Sequence, residues 1–390
     1  MPDTKAIDKV LQEAVASGQV PGVTAAAANA DGAIVESAFG RRSLAGDAPM
    51  TNDTMFRIAS MTKAVTGAAA MQMVEQGKLS LDHPAGEILP FLTSPMVLDG
   101  YDAAGEPKLR PAKGVITLRK LLTHTAGFVY DTWNGEMNRY AARTGLPPRT
   151  STGKLAALHA PLGFDPGERW EYGINIDIAG RMVEVASGQN LEAYLQDHLF
   201  RPLGMPDTSF ILQPRFKDRL AQVHARDEKG ALTPIESSPP VENPEFYPGG
   251  GGLFSTSRDY LTFLRALMRG GELNGARILK PETVALMGQN HMGALNVLPM
   301  KTFKPEMSND CELFPGMDKK WGLTFLINTQ DVPGARSAGS LAWAGINNTY
   351  YWLDPVKRVA GVLMTQVLPF ADPTVLGLLD RFERAVYAAQ

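Results

Sequence analysis

Phe56-Arg57-Ile58-Ala59-Ser60-Met61-Thr62-Lys63 runs without a break into an Ala- and Met-rich stretch that ends at Gln76-Gly77. The stretch holds no proline and shows no alternating pattern, so Ser60 to Gln76 reads as a buried helix stopped by Gly77, with Ser60 at its N-terminus. On a helix, residues three apart share a face, which puts the Ser60 hydroxyl within reach of the Lys63 amine. A serine hydroxyl becomes nucleophilic when a neighbouring base takes its proton. A lysine serves as that base once burial or nearby cations lower its pKa. Ser-x-x-Lys alone also fits a solvated helix face. The apolar flanks Phe56 to Ala59 and Ala64 to Met73 make an idle lysine costly at this place.

Working outward, Ile7, Val10, Leu11, Ala14 and Val15 form one stripe of an opening helix that Gly18 ends. Val23 to Ala30 and Ala33 to Phe39 are strand-length apolar runs around Asp31-Gly32, which predicts an antiparallel hairpin. From Leu79 to about Pro240 the chain reads as helical pieces broken by Pro and Gly: Leu118 to Leu122, Lys154 to His159, Ile176 to Ala186 and Leu191 to Phe200. Beyond Ser238-Pro239-Pro240 and the run Gly249 to Gly252, a helix over Arg258 to Met268 is expected. Strands follow over Gly322 to Asn328, Arg336 to Gly345, Thr349 to Leu353 and Arg358 to Val367, then a closing helix over Thr374 to Tyr387. Strands at both ends and helices between predict an α/β domain from residues 1–80 and 300–390, its sheet flanked by helices. A mostly helical domain, 81–299, is inserted into it.

The 390 residues are 44% hydrophobic and 20% charged with a net charge of −3, which suits a globular chain and gives no phosphate-neutralising surface for nucleic acid. Cys311 is the one cysteine, and six scattered histidines lack metal-ligand spacing, so neither a disulfide nor a metal site is expected. The charged N-terminus does not read as a signal peptide, and the uncharged stretches Ala64–Val74 and Val359–Ala371 are shorter than the roughly 20 residues that span a bilayer. The expectation is a cytoplasmic protein without membrane or cofactor. Its oligomeric state does not follow from the sequence.

Gly-x-Ser-x-Gly is absent, which closes the α/β-hydrolase route to an esterase. Two further segments accompany Ser60 and Lys63. In Phe164-Asp165-Pro166-Gly167-Glu168-Arg169-Trp170-Glu171-Tyr172-Gly173, a Pro-Gly turn presents Tyr172 just ahead of a helix. A phenol there can share base work beside Lys63, or simply pack as core. Ser340 to Ile346 reads as a strand with small residues where backbone approaches something closely. Its N–H groups can serve an oxyanion, or the glycine can be purely structural.

Taken in order, Ser60-x-x-Lys63, the Tyr172 segment and Trp343-Ala344-Gly345 resemble the serine β-lactamase and penicillin-binding-protein superfamily. More narrowly, the chain is similar to the family VIII carboxylesterases, themselves similar to class C β-lactamases. Leu121-Leu122-Thr123-His124-Thr125-Ala126-Gly127, Arg201-Pro202-Leu203-Gly204-Met205 and Gly249 to Phe254 extend the likeness over most of the chain. The resemblance implies a β-lactamase/transpeptidase-like fold, Ser60 as nucleophile, Lys63 and Tyr172 as its base system, and the N–H groups of Ser60 and Ile346 as oxyanion hole. It places His124 in a structural loop. Two departures bear on substrate. Ile174 stands where class C enzymes carry an asparagine, and Trp343-Ala344-Gly345 replaces Lys-Thr-Gly, removing a carboxylate-holding cation. Short-chain ester hydrolysis is therefore expected, with Trp343, Ala344, Gly345, Tyr130 and Trp133 lining the cleft. A β-lactamase, a D-amino-acid peptidase, an acyltransferase delivering to an alcohol as statin-modifying members do, and a silent penicillin-binding-type receptor are the alternatives.

Overall fold

A computed structural model of the chain describes residues 4–390. Its first helix, α1 (Lys5–Ala16), buries Ile7, Leu11 and Ala14, one apolar residue per turn. The hairpin follows as β1 (Gly22–Asn29) and β2 (Ala33–Gly40), paired antiparallel. The Asn29 side chain accepts the backbone N–H groups of Asp31 and Gly32, so the turn is closed by an asparagine as well as by the Asp-Gly pair.

The other strands of the main sheet come from the far end of the chain: β3 (Lys319–Trp321), β4 (Leu326–Asn328), β5 (Leu341–Gly345), β6 (Thr349–Asp354) and β7 (Val359–Met364). The sheet has seven strands in the order β3-β4-β5-β6-β7-β1-β2. The two chain ends join where β1 pairs antiparallel with β7, from Thr24 opposite Met364 to Asn29 opposite Val359.

Strands β5 to β7 are buried along their whole length, as a sheet covered on both faces requires. Successive residues of a strand point to opposite faces. On β6, Trp352 meets Phe382 of the last helix at 5.6 Å between ring centroids, and Tyr351 meets Tyr260 at 5.2 Å. The helix Pro373–Ala388 therefore covers one face and the helix Ser257–Met268 the other. Trp343 on β5 lies opposite Tyr351 and shares its face. That face carries the site.

Helix α2 (Thr62–Glu75) is buried on every side from Thr62 to Met73, so it runs through the core as its unpatterned Ala-Met sequence predicts. It packs against α3 (Asn175–Ser187). We number Ser257–Met268 as α4 and Pro373–Ala388 as α5. Helix α4 belongs to the stretch read as the insert, yet it packs on β1 and β7 of the sheet.

Several elements differ from the sequence reading. Gly322–Asn328 is not one strand: Gly322 N–H bonds to the Phe325 carbonyl, Thr324 has φ +80°, and this turn joins β3 to β4. The strand expected from Arg336 starts only at Leu341. Arg358 sits at φ +55° in the turn before β7, and Val367–Leu368 pairs instead with His224–Arg226. The helix Leu191–Leu195 passes through a wider π turn over Gln196–Phe200. Met96–Tyr101 and Pro107–Pro111 form a hairpin and Gly135–Thr144 a helix, none of which the sequence reading included. No helix among the described residues is long and apolar enough to cross a membrane.

Candidate active site

Ser60 lies in a short 3₁₀ turn, Ala59–Met61, that feeds α2. Ala59 is held at φ +44°, a left-handed conformation that costs a non-glycine residue about 1–2 kcal/mol and turns Ser60 into the cleft. One turn on, the fully buried Lys63 places Nζ 3.1 Å from Ser60 Oγ. The same nitrogen lies 3.1 Å from the Tyr130 hydroxyl and donates to the Gly250 carbonyl at 2.6 Å. Burial drives the lysine well below its ordinary pKa; the Asp177 carboxylate opposes this and Arg149 adds to it. A lysine so placed gives up its proton more readily than an exposed one and is suited to exchange protons with a neighbouring hydroxyl.

The Tyr172 hydroxyl receives the Trp343 indole N–H at 3.0 Å and faces Ser60. Burial pushes this phenol far above its usual range, with Ser60 and Trp343 pulling the other way. The opposite shifts suit Lys63 to accept a proton and Tyr172 to keep its own and pass one on. Trp343, read from sequence as an apolar wall, also orients that phenol.

The loop bearing Tyr172 is fixed by His124. The His124 carbonyl accepts Glu171 N–H at 3.1 Å, and its Nδ1 faces Gly173 N–H at 3.4 Å and Asn175 Nδ2 at 3.1 Å. This donor set leaves the ring proton on Nε2. His124 is buried and held well below its normal pKa, chiefly by desolvation, and hence neutral. Asn175 is also fully buried, its amide turned to the Phe128 carbonyl at 2.9 Å, so it presents nothing to the cleft, where Ile174 stands.

Beyond Gly345, the half-buried Ile346 borders the cleft with Ser60. Gly345 itself does not line it: a Cβ there would be driven into the Ile58 carbonyl, so glycine allows β5 to lie against the nucleophile turn. Ile346 N–H has no backbone partner, and Ser60 N–H belongs to the opening of a helical turn, where donors are left over. Both can face an oxyanion.

The cleft measures about 620 Å³. Tyr130, Trp133 and Tyr172 cluster on one side with ring centroids 5.0–5.8 Å apart, and Trp343 and Ala344 line another. Lys304, Glu306 and Met307 form part of its rim, and Pro-rich segments at 146–149 and 238–244 form another.

Arg57 was passed over in the sequence as a flank. Its guanidinium borders the cleft, stacks 5.0 Å from the Phe254 ring centroid, and has neither ion pair nor side-chain hydrogen bond among the described residues. The signal was there: a cation three residues before the serine in an otherwise apolar run. Cys311 is buried, and desolvation pushes its thiol up to about 12. No group of three or more metal-ligating side chains occurs among the described residues.

A serine on a helical turn, a lysine one turn later and a phenol from a separate segment, set beside an antiparallel sheet, are the arrangement of the serine β-lactamase-like enzymes. The family model described as beta-lactamase matches residues 7–382, and the chain belongs to that family. It is 33% identical over 395 residues to the ML-236A carboxylate methylbutanoyltransferase of Penicillium citrinum, covering 98% of this chain and 94% of that one. A lovastatin esterase of Penicillium rubens is 30% identical, with 98% of each chain covered. Among solved structures, unliganded simvastatin synthase from Aspergillus terreus superposes with a TM-score of 0.85 at 32% identity, over 98% of this chain and 97% of that one. The chain is accordingly an enzyme of the serine-hydrolase type, among relatives named acyltransferases and esterases.

Proposed function

We propose that this enzyme carries an acyl group on Ser60 and delivers it to the hydroxyl of a bulky apolar alcohol that bears a carboxylate, with ester hydrolysis as the side reaction when water replaces the alcohol. This moves the weight from plain short-chain carboxylesterase to the acyltransferase alternative. The observation that carries it is the cleft: about 620 Å³ beside Ser60, largely apolar, with the unpaired cation of Arg57 on its wall. A short acyl chain leaves most of that space empty. An unpaired guanidinium next to apolar walls suits the anionic end of an otherwise greasy acceptor. The relatives named as methylbutanoyltransferases of a carboxylate or an acid support the same reading.

The steps balance on one proton. Lys63 takes the Ser60 hydroxyl proton while Oγ bonds to the donor carbonyl carbon, and the N–H groups of Ser60 and Ile346 hold the oxyanion. The carbon–leaving-group bond breaks, and the leaving group takes the proton from Lys63, directly or through Tyr172. The acceptor hydroxyl then gives its proton to Lys63 and attacks the acyl carbon; Ser60 Oγ departs and is reprotonated. Trp343 in place of a lysine, and Asn175 turned inward, leave β-lactams without their usual anchors.

The test is product analysis with p-nitrophenyl butyrate as donor and a carboxylate-bearing secondary alcohol as acceptor. Butyrylated acceptor in excess of free butyrate is expected, nothing with Ser60→Ala, and no turnover of nitrocefin. Arg57→Gln should raise KM for the acid acceptor and leave its methyl ester unaffected. Release of butyrate alone at saturating acceptor would return the assignment to an esterase.

A further inference from the structure

The glycine run after Pro248 has no role in the chemistry above, yet one of its peptides touches the base. The Gly250 carbonyl accepts from Lys63 Nζ at 2.6 Å, and Gly250 N–H donates to Asp177 Oδ1 at 3.0 Å. Asp177, in the first turn of α3, is fully buried, and its other oxygen accepts from Arg149 Nη1 at 3.1 Å. A Cβ on residue 250 would come within 2.6 Å of Asp177 Oδ2, so only glycine fits between carboxylate and amine. Arg149 closes the circuit from the cleft side: its guanidinium lies 4.4 Å from the Tyr130 ring centroid, and the Tyr130 hydroxyl is 3.1 Å from Lys63 Nζ.

We propose that Asp177, clamped by Arg149, is the positioning residue of the lysine base, acting through Gly250, whose N–H it holds and whose carbonyl, one peptide further on, aims Lys63 at Ser60. This rests on the acyl-transfer reading of Ser60. A buried carboxylate costs several kcal/mol unless paired, and this one spends its two oxygens on a peptide N–H and an arginine. The Gly250 carbonyl belongs to the next peptide, whose Gly251 N–H is held by the Pro248 carbonyl at 2.9 Å; without Asp177, Gly250 loses its anchor on the N–H side, and its carbonyl can shift off Lys63. The groups facing Lys63 are Ser60 on its own turn, the phenols of Tyr130 and Tyr172, the neutral ring of His124, and the charges of Asp177 and Arg149. Of the two charges, Asp177 favours the ammonium and Arg149 disfavours it.

The experiment compares wild type with Asp177→Asn, using p-nitrophenyl butyrate across pH and a fluorophosphonate probe read by intact mass. Wild type should be labelled once, at Ser60. The variant should lose kcat by about 10- to 100-fold with KM within about twofold, the scale expected of a misaimed base. The acid limb of its kcat/KM profile should move to lower pH, because the missing anion no longer holds a proton on Lys63. Unchanged kcat, or a lower kcat with an unmoved acid limb, overturns the proposal, the latter being what a purely structural role gives. Should Asp177→Asn fail to fold, Arg149→Gln at the cleft edge takes its place. Slower labelling of Ser60 is expected there, and a wild-type labelling rate overturns the proposal. An unlabelled wild type overturns the acyl-transfer reading itself, a failure distinct from a labelled wild type beside an unaffected variant.

Discussion

Tyr172 receives the Trp343 indole N–H and faces Ser60 inside a cluster of aromatic rings. Tyr172→Phe keeps the ring and its packing and removes only the hydroxyl. The expected result is a loss of about 10²- to 10⁴-fold in kcat for p-nitrophenyl butyrate, the usual scale of a proton-transfer group, with a melting temperature lowered by only a few degrees because the buried Trp343 N–H loses its acceptor. Trp343→Phe leaves the hydroxyl and removes its orienting donor, so a smaller loss, about tenfold, is expected in the same assay. Ser60 and Lys63 were legible in the text because one helical turn separates them, and Tyr172 because its segment resembles a known motif. Asp177 and Gly250 were not: Gly250 reaches Lys63 across 187 positions, and no local pattern reports a peptide carbonyl's direction. Tyr130 was read as a cleft wall, and only the fold brings its hydroxyl to the amine.

At the scale of elements, α4 carries a buried acid in its first turn. The Asp259 carboxyl is pushed up to about 6 by desolvation, although Asp207 N–H and the Thr208 hydroxyl both donate to it. The helix N-terminus favours the anion by only about 0.3–1 kcal/mol, so burial prevails. A folded pKa above the unfolded value of about 3.9 means that the folded chain binds the proton more tightly. The stability this group contributes is therefore full below about pH 4 and lost as pH rises through about 6, amounting to about 3 kcal/mol. Asp259→Asn should raise the melting temperature relative to wild type more at pH 7.5 than at pH 4; equal shifts at both would contradict this. Elements with a clear apolar stripe, such as α1, were legible in sequence. The helix Gly135–Thr144 buries only Met137, and its best sign is the Asn134 side chain capping Met137 N–H. The hairpin Met96–Pro111 is mostly exposed and lacks alternation, and Gly322 to Phe325 is an apolar run bent by Thr324.

For the whole molecule, the helix α5 shows how closely the two ends depend on each other. It packs against α1 and buries Val375, Leu378, Phe382 and Val386. At about 1.5–3 kcal/mol per buried apolar side chain, these four contribute about 6–12 kcal/mol. Net stabilities are about 5–15 kcal/mol, so a chain ending at Asp372 is expected to lose its cooperative melt and its near-ultraviolet circular dichroism. A sheet drawn from both termini was legible in the positions of the strand-like runs. The meeting of β1 with β7 was not, since register across most of the chain leaves no local trace. That pairing also sets a timetable for synthesis. During synthesis β1 precedes β7 by the whole stretch between Asn29 and Val359, so one backbone edge of β1 waits without its strand while that stretch is made. The nascent chain must keep that edge from self-association until β7 emerges, and expression yield should depend on chaperones more than on the melting temperature of the finished enzyme.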